Sequence, residues 1–597
     1  MPVDEDRGFS PGEPASAGQS ESPRFAGASP IRWVLAASVG VALVLLAIRV
    51  GEYHREGLVP GVVLDDSYIS FRYARNLVRG HGLVYNVGER VEGYTNFLWT
   101  VAVAGAMAAG ARPEPAAEVL AALAAAGTVL LLGGLSRKLL RGPLSAPARF
   151  LPPVAFAAIG SQARHAVSGM ETLLFVFFIV AGFACLVRDR RRAAGYAEPG
   201  RAARGVSDRS ALLAGALFGL AALTRPEGAL YAAIGALWAL WDGPLATAPG
   251  SRLRGRLRPA VLLALAFLAF VGPHLAWRWS YYGYPLPNTY YAKVGAALSE
   301  RLVAGWANLA KALSRWSIQP VLVLALLAVA AVRKDRFWLW AYGVAAATGA
   351  YFVLMGGDFL AFFGPRLLMP ALPFVLLLAA EGLRGTAAAV PALARRRGVG
   401  PVLVGAIVLG VCLHALAFAW PPRAADLRGL ATLHHTWRLT GEWLARHAPP
   451  DALIATSAAG IIPYLADRPT LDMFGLADEH IAHRADVDPA MPPGHEKSDP
   501  FYVLERRPDF LHVVNLSPEG NPRTARLGLV AGRIAEEYEI VAQVKLFGGR
   551  RVQGRWIIET RRFRPGLHRR GYRSAIFRRI DDPSEVRALA AHDSLVR

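Results

Sequence analysis

The chain has 597 residues, of which 53% are hydrophobic and only 19% are charged, a balance outside the range of ordinary soluble domains. Its formal net charge is +21, from 66 Lys and Arg against 45 Asp and Glu. The basic residues are dispersed in short loops between apolar segments, which disfavours a nucleic-acid-binding protein and indicates a polytopic membrane protein.

Apolar stretches recur through the first two thirds of the chain, and many are close to the length that crosses a bilayer. They lie near residues 33–50, 97–110, 116–136, 148–163, 170–187, 210–223, 228–241, 259–279, 317–332, 337–355, 366–381 and 400–420. We predict a mainly α membrane bundle of about 11–12 spans. Several stretches are short, and the basic residues near 137–141 argue that either 97–110 or 148–163 does not fully cross.

Composition divides the chain into three parts. Residues 1–32 are rich in Pro, Ser, Gly and Glu and are predicted to form a disordered cytoplasmic tail. Residues 33–420 form the transmembrane module, with a first external loop at 51–96, and residues 421–597 form an extracytoplasmic soluble α/β domain. In that domain we predict a helix at Leu427–His447 and strands at Ala452–Thr456, Phe510–Val514, Tyr538–Val544 and Arg555–Glu559.

The first external loop carries an acidic pair, Asp65 and Asp66, shortly after the first span. Two adjacent carboxylates repel each other and are costly away from bulk water, which points to a catalytic role. Behind them, Ile69, Tyr73 and Leu77 recur at helical spacing. This pattern predicts an amphipathic helix lying in the membrane interface with its apolar side chains in lipid.

The same loop contributes candidate substrate-binding residues, which are Arg72, Arg75 and Glu92. Arg72, Arg75 and Arg79 gather along one stripe of the predicted helix, where guanidinium groups are suited to hold a phosphate bidentately. The alternative is that these arginines only contact anionic lipid headgroups.

Four later motifs are predicted on the same side of the membrane. They are SGMET with Glu171, LTRPEG with Arg225 and Glu227, YYGYPLPNTYYAK with Lys293, and GGDFLAFFGPRLLMPALP with Asp358 and Arg366. Each has a structural alternative, because Glu171 suits a helix start and both Arg225–Glu227 and Asp358–Arg366 are possible ion pairs. Because all four motifs are predicted on the same side of the membrane, we favour the interpretation that they form one binding site.

These pieces resemble the GT-C class of integral-membrane glycosyltransferases, and within it the mycobacterial terminal β-1,2-arabinofuranosyltransferase family. The resemblance rests on the acidic pair followed by ARNLVRGHGLVYNVGERVEGYT, on the four motifs above, and on LDMFGLAD at 471–478. It extends from residue 65 to 478. In the last motif, Asp472 is expected to stabilise its own loop rather than to take part in catalysis.

The resemblance implies an inverting transferase at the bacterial plasma membrane, with its active site and C-terminal domain outside. The donor would be a polyprenyl-phosphate sugar, arabinofuranose being one candidate beside mannose, rhamnose and aminoarabinose, and the acceptor a cell-envelope glycan or glycolipid. The family's expected base is an aspartate in the first external loop, here Asp65 or Asp66, and the other would orient the acceptor. Arg225, Lys293 and Arg366 are the candidates for the departing phosphate.

No nucleotide fingerprint and no His or Cys metal spacing accompanies these motifs, so no cofactor is required by the sequence and a divalent metal has no supporting motif. Three other functions stay open. They are a polyprenyl-linked glycan transporter or flippase, an oligosaccharide ligase with a pyrophosphate-linked donor, and an inactive scaffold. A transporter would place ionisable groups near the bilayer midplane, whereas here they fall at span ends.

Overall fold

A computed structural model describes residues 30–55, 63–142, 144–188, 206–241, 251–295, 297–316, 318–329, 336–358, 364–390, 393, 398–418, 424–487, 495–513, 533–534, 537–545 and 572–580. The predicted tail at 1–32 lies outside these residues except for its last three, which already belong to the first helix. The strand predicted at Arg555–Glu559 also lies outside them.

The first two thirds of the chain form a helical bundle. Its helices are α1 Pro30–Arg55, α2 Asp65–Val78, α3 Phe97–Ala108, α4 Pro113–Leu139, α5 Ser145–Ala148, α6 Leu151–Ala158, α7 Ser161–Val167, α8 Thr172–Arg188, α9 Asp208–Thr224, α10 Gly228–Trp241, α11 Ser251–Tyr282, α12 Asn288–Lys293, α13 Leu298–Arg315, α14 Gln319–Leu326, α15 Arg336–Leu354, α16 Leu372–Ala389 and α17 Val399–Phe418. A 3₁₀ helix at Arg366–Ala371 leads into α16.

Within the described residues, six helices are long and apolar enough to cross a membrane, or seven if the bent pair α7 and α8 counts as one span. This number is smaller than the 11–12 spans predicted, because several apolar stretches form helices too short for that criterion. The stretch 97–110 is a helix of 12 residues, and 148–163 is broken into α6 and part of α7. Both segments that the charge pattern had placed in doubt are therefore short.

Small residues let the bundle helices approach closely. A Cβ atom added to Gly215 of α9 would lie 2.2 Å from the carbonyl oxygen of Leu263 in α11, and one added to Gly382 of α16 would lie 1.9 Å from that of Leu324 in α14. Helices in lipid associate through such packing, since apolar side chains gain nothing by leaving hydrocarbon. These contacts fix the frame that carries the loops at one end of the bundle.

The C-terminal part is an α/β domain, as predicted. Its elements are α18 Ala424–His447, β1 Ile454–Thr456, α19 Ile461–Ala466, β2 Thr470–Asp472, α20 Glu479–Ala482, α21 Pro500–Glu505, β3 Phe510–Val513, β4 Tyr538–Lys545 and β5 Tyr572–Arg579. The sheet has the order β2-β1-β3-β5-β4, with β1 parallel to both neighbours and β5 antiparallel to its own. The sequence did not predict β2 or β5.

The helix α2 lies between this domain and the bundle, so the predicted placement of its apolar side in lipid was wrong. Ile69 and Tyr73 are 5% and 0% exposed and pack with Tyr85, Tyr282 and Ala477. The amphipathic stripe was correctly recognised, but protein covers it instead of membrane.

Candidate functional site

The acidic pair opens α2, where two carboxylates suit the helix dipole, but its two members have different surroundings. Both carboxylate oxygens of Asp65 accept backbone N–H groups of the C-terminal domain, from Gly460 at 3.1 Å and from Ile461 at 2.7 Å. A Cβ atom at Gly460 would lie 1.8 Å from the carbonyl oxygen of Asp65, so the contact requires glycine. Asp65 thus holds the start of α19 against α2.

Burial raises the pKa of Asp65 to about 7, and the neighbouring Asp66 and Asp472 add to the rise, while the two backbone donors oppose it. Its oxygens are already engaged by Gly460 and Ile461. This arrangement does not fit the predicted role of Asp65 as a base or as a group that orients the acceptor. It fits a group that positions the two domains.

Arg72 and Arg75 contact α19 further along that helix, so the structure gives them protein partners while their predicted role as phosphate ligands stays a prediction. Arg72 is 4% exposed and donates to the carbonyl oxygens of Tyr85 and Pro463, each at 2.7 Å. Arg75 donates to the carbonyl oxygen of Tyr464 at 2.6 Å and pairs with Asp467 at 2.7 Å. Because the terminal Nη groups of both side chains are engaged by protein, these guanidinium groups stabilise domain docking.

Asp66 faces a group of cations instead. Its Oδ2 lies 3.4 Å from Nη1 of Arg366, and its side chain is 38% exposed. Burial alone would raise the pKa of Asp66, but Arg366, Lys293 and His495 together hold it below the ordinary value. Asp66 is therefore an ionised, accessible carboxylate.

Arg366 joins Asp66 to the GGDF motif. Its Nε lies 3.2 Å from Oδ1 of Asp358, whose side chain is only 2% exposed. The ion pair anticipated between Asp358 and Arg366 is therefore present, and Asp358 acts as the fixed partner that aims the guanidinium at Asp66. A substrate-binding role remains a prediction for Arg366 and becomes indirect for Asp358.

Lys293 ends the short helix α12 and has no hydrogen bond or ion pair to any residue that the structure describes. Burial lowers its pKa, while the attraction of Asp66 acts in the opposite direction. Lys293 is half-buried, and a partly desolvated ammonium group is stabilised by a nearby anion. Binding of a substrate anion by Lys293, here beside Asp66, stays a prediction.

Arg225 belongs to a second ion-pair network at the same end of the bundle. Its Nη1 lies 2.9 Å from Glu171 and its Nε 2.5 Å from Glu227, and Glu171 also accepts a hydrogen bond of 2.8 Å from Asn96. The ion pair between Arg225 and Glu227, which the sequence offered as the structural alternative, is therefore present. A substrate-binding role stays a prediction for Arg225 and becomes indirect for the two glutamates. Arg225 lies close enough to Lys293 to lower the pKa of that lysine.

Glu92 is separate from this group. It is 2% exposed and pairs at 2.9 Å with Arg278 of α11. Burial raises the pKa of Glu92 to about 7, although Arg278 opposes that rise. In the structure Glu92 makes a contact between the first loop and the bundle, and substrate binding by Glu92 stays a prediction.

The structure thus brings together Asp66, Arg225, Lys293 and Arg366, and we call the last three the basic cluster. Reading the sequence missed Asn96, Arg278 and Gly460, which have no motif of their own. Asp472 is fully buried and accepts backbone N–H groups from Phe474 and Ala477, so it stabilises its own loop as expected. No set of three or more metal-ligating side chains occurs within the part of the chain that the structure describes.

A cleft of about 810 Å³ lies between the first loop and the C-terminal domain. Its walls carry two tyrosines, Tyr284 and Tyr502, and several ionisable residues, among them Glu89, Asp478 and Glu479. His480 stacks on Tyr502 with ring centroids 4.0 Å apart. Aromatic faces beside carboxylates and guanidinium groups can bind a hydroxyl-rich ligand through stacking and hydrogen bonds.

Comparison with solved structures gives the class of the fold. ArnT from Cupriavidus metallidurans bound to undecaprenyl phosphate matches with a TM-score of 0.53 over 93% of this chain and 99% of that chain, at 14% identity. The same protein in the apo state matches with a TM-score of 0.52. The fold is that of the GT-C membrane glycosyltransferases, so the predicted fold class is confirmed.

Sequence comparison narrows the similarity. The chain is 28% identical over 342 residues to the terminal β-(1→2)-arabinofuranosyltransferase of Corynebacterium glutamicum, which covers 53% of this chain and 47% of that protein. It is 31% identical over 242 residues to the enzyme of the same name from Mycobacterium tuberculosis, which covers 39% and 35%. The predicted resemblance is confirmed, and the chain spans half or less of these relatives' length. A domain of unknown function, DUF8728, matches residues 421–564.

Proposed function

We propose that the protein is an inverting glycosyltransferase that moves a sugar from a polyprenyl-phosphate carrier to an envelope glycan or glycolipid. The observation that carries this proposal is the ionised Asp66 facing the basic cluster at one end of a GT-C bundle. A carboxylate beside several cations matches a reaction that needs a base and an anionic leaving group.

In the proposed reaction, Asp66 accepts the proton of the acceptor hydroxyl while that oxygen attacks the anomeric carbon. The new bond joins the acceptor oxygen to this carbon, and the bond from the carbon to the phosphate oxygen breaks. Polyprenyl phosphate leaves with the electron pair. A single in-line displacement of this kind inverts the configuration at the anomeric carbon.

The basic cluster supplies the charge stabilisation. A sugar phosphodiester carries one negative charge, and its cleavage releases a phosphate monoester on which a second charge develops. Arg225 and Arg366 are held by acidic partners, whereas Lys293 has none among the described residues. Preorganised cations of this type stabilise the transition state more than the ground state, and this requires no cofactor.

Arg366 also links donor binding to the strength of the base. In the structure its guanidinium is shared between Asp358 and Asp66. A donor phosphate that takes this guanidinium removes a cation from Asp66, so the pKa of the carboxyl rises toward its ordinary value or above it. The carboxylate therefore becomes a stronger base only when the donor is bound.

The donor sugar and the acceptor site are proposed on separate grounds. Both curated relatives are named arabinofuranosyltransferases, which makes arabinofuranose the first donor sugar to test. The cleft beside Tyr284 and Tyr502 is the proposed binding site for the acceptor glycan. Since nucleotide sugars are confined to the cytoplasm, a carrier-linked donor fits an active site on the extracytoplasmic face of the plasma membrane.

The decisive experiment is reconstitution of the full chain in lipid nanodiscs with synthetic polyprenyl-phosphate arabinofuranose and an arabinan oligosaccharide. We expect a product extended by one sugar of inverted anomeric configuration. Parallel reactions with mannose and rhamnose donors test the sugar, and a pyrophosphate-linked donor tests a ligase. Movement of labelled donor between leaflets without any transfer would refute the proposal in favour of a flippase.

A further inference from the structure

The helix α13, Leu298–Arg315, is not among the helices long and apolar enough to span a membrane, yet it exposes large apolar side chains. Val303 is 73% exposed and Trp306 is 64% exposed, and Ala307 and Ala310 are also exposed. At 100° per residue, these four positions fall on one face of the helix. None of the residues that the structure describes buries this apolar face.

A charged edge borders the apolar face. Glu300 and Lys311 are both exposed and lie next to Ala307 around the helix. The remaining side packs on the bundle, where Ala312 is 2% exposed. The helix therefore has a protein side, an apolar side and a polar edge, which is the arrangement of a helix lying at a lipid–water boundary.

Helix α13 packs on the end of the membrane-spanning helix α15, and both α15 and α14, the next helix in the chain, expose apolar side chains. Leu354 at the end of α15 is 46% exposed, and Val323 and Leu326 of α14 are 60% and 66% exposed. At about 1.5 Å per residue, the 18 residues of α13 extend for roughly 27 Å along this boundary. A bilayer is the partner that matches both the apolar face and the packing of α13 on a membrane-spanning helix.

The protein side of α13 is fixed to the turn that carries the GGDF motif. A Cβ atom at Gly305 would lie 2.2 Å from the carbonyl oxygen of Val353, so the backbones touch. Asn308 donates from Nδ2 to the carbonyl oxygen of Gly356 at 2.9 Å. Two residues later, Asp358 pairs with Arg366.

We propose that α13 is a membrane-surface anchor that lies with Val303, Trp306, Ala307 and Ala310 in the hydrocarbon. Through Gly305 and Asn308 it holds the Asp358–Arg366 pair at the depth of the lipid headgroups. The second statement rests on the proposed function, because it is there that Arg366 meets a carrier phosphate.

The anchor is tested by labelling, without any need for activity. Cys185 and Cys412 are the only cysteines in the chain, and their replacement by Ala gives a background for Trp306→Cys and Lys311→Cys. These two positions are exposed on the same helix, one on the apolar face and one on the charged edge. Nitroxide labels in the full chain, reconstituted in nanodiscs, are compared for collision with oxygen and with a water-soluble nickel chelate.

We expect the ratio of oxygen to nickel collisions to be at least threefold higher at position 306 than at 311. Equal ratios would overturn the anchor. Spin–spin broadening between two labels at position 306 would overturn it as well, since a second copy of the chain would then cover the face.

Kinetics with long-chain and short-chain polyprenyl-phosphate donors test whether α13 sets the depth of the Asp358–Arg366 pair, which we call depth-setting. We expect Trp306→Glu to raise KM for the long-chain donor about tenfold and to leave kcat unchanged, while Trp306→Phe behaves as the parent enzyme does. Equal KM increases with a water-soluble short-chain donor would overturn depth-setting. Failure of the parent enzyme to transfer any sugar would refute the proposed function, and the labelling would still decide the anchor.

Discussion

The assignment of the base predicts different outcomes for the two members of the acidic pair. Asp66→Asn keeps the size of the side chain but removes its ability to accept a proton at neutral pH. Its carboxylate contacts Arg366 at 3.4 Å and holds no backbone group of another element among the described residues, so the variant is expected to keep its fold. Loss of a general base costs about 10²–10⁴-fold in rate, or about 2.7–5.4 kcal/mol.

Asp65→Asn is the matched control, because it makes the same chemical change one residue earlier. Its amide oxygen still accepts one of the two hydrogen bonds from Gly460 and Ile461, while its NH₂ group opposes the other donor. We expect the free energy of unfolding to fall by about 1–3 kcal/mol, because one buried hydrogen bond is misplaced. We expect kcat to fall less than about tenfold, because this hydrogen bond joins two domains and does not touch the reacting atoms.

The assay is single-turnover transfer from polyprenyl-phosphate arabinofuranose in purified protein, with thermal unfolding measured in parallel. A loss in Asp65→Asn as large as that in Asp66→Asn, with both proteins equally stable, would refute the assignment. Activity of Asp66→Asn within fivefold of the parent enzyme would refute it as well.

The acid side of the pH profile separates the same two assignments. The pKa of Asp66 lies below its ordinary value, so this base stays ionised and kcat/KM has no acid limb from it between about pH 5 and 8. If Asp65 were the base, its pKa of about 7 would cause activity to fall as the pH drops through neutrality. Because Glu92 also has a raised pKa, the profile is repeated in Glu92→Gln to identify any limb that it causes.

Three further outcomes follow from the same geometry. Lys293→Met should lower kcat about 10–100-fold, whereas Lys293→Arg should preserve kcat. Because the pKa of Lys293 is lowered, its charge is lost early as pH rises, and Lys293→Arg should remove the resulting alkaline decline in the parent enzyme's rate. An unchanged pH profile in Lys293→Arg would contradict this. Arg72→Met should destabilise the protein by roughly 3 kcal/mol or more, because it leaves the buried carbonyl oxygens of Tyr85 and Pro463 without a donor. Thermal unfolding measures this loss, and an unchanged unfolding temperature would contradict the docking role. The parent protein should lose stability as pH rises from about 4 to 7, since the folded-state pKa of Asp65 is raised to about 7. Asp65→Asn should flatten this pH dependence in unfolding scans. Identical slopes in the two proteins would contradict the raised pKa of Asp65.

The sequence predicted the basic cluster well, for a physical reason. Apolar periodicity locates the spans, and each break between spans falls at one end of the bundle or the other. Arg225, Lys293 and Arg366 all lie at breaks assigned to one side, and the structure brings them together. Their convergence required no knowledge of side-chain contacts.

Roles that depend on pairs far apart in the chain were not predictable in this way. The stripe of Arg72 and Arg75 is visible in the sequence, but the carbonyl oxygen of Pro463 that Arg72 binds is 391 residues away. Glu92 and Arg278 are separated by 186 residues. An amphipathic pattern shows that one side of a helix is covered, and it does not distinguish lipid from protein.

The separation of Asp65 from Asp66 follows from helix geometry once the covering surface is known. Successive side chains on a helix point about 100° apart, so one face of α2 cannot hold both carboxylates. Asp65 lies on the same face of α2 as Arg72 and Arg75. Asp65 binds the start of α19 and the two arginines bind carbonyl oxygens further along it, and these contacts fix the rotation of α2 about its axis. Asp66 is thereby turned toward Arg366. The contacts that tie Asp65, Arg72 and Arg75 to α19 are therefore the same contacts that place the proposed base.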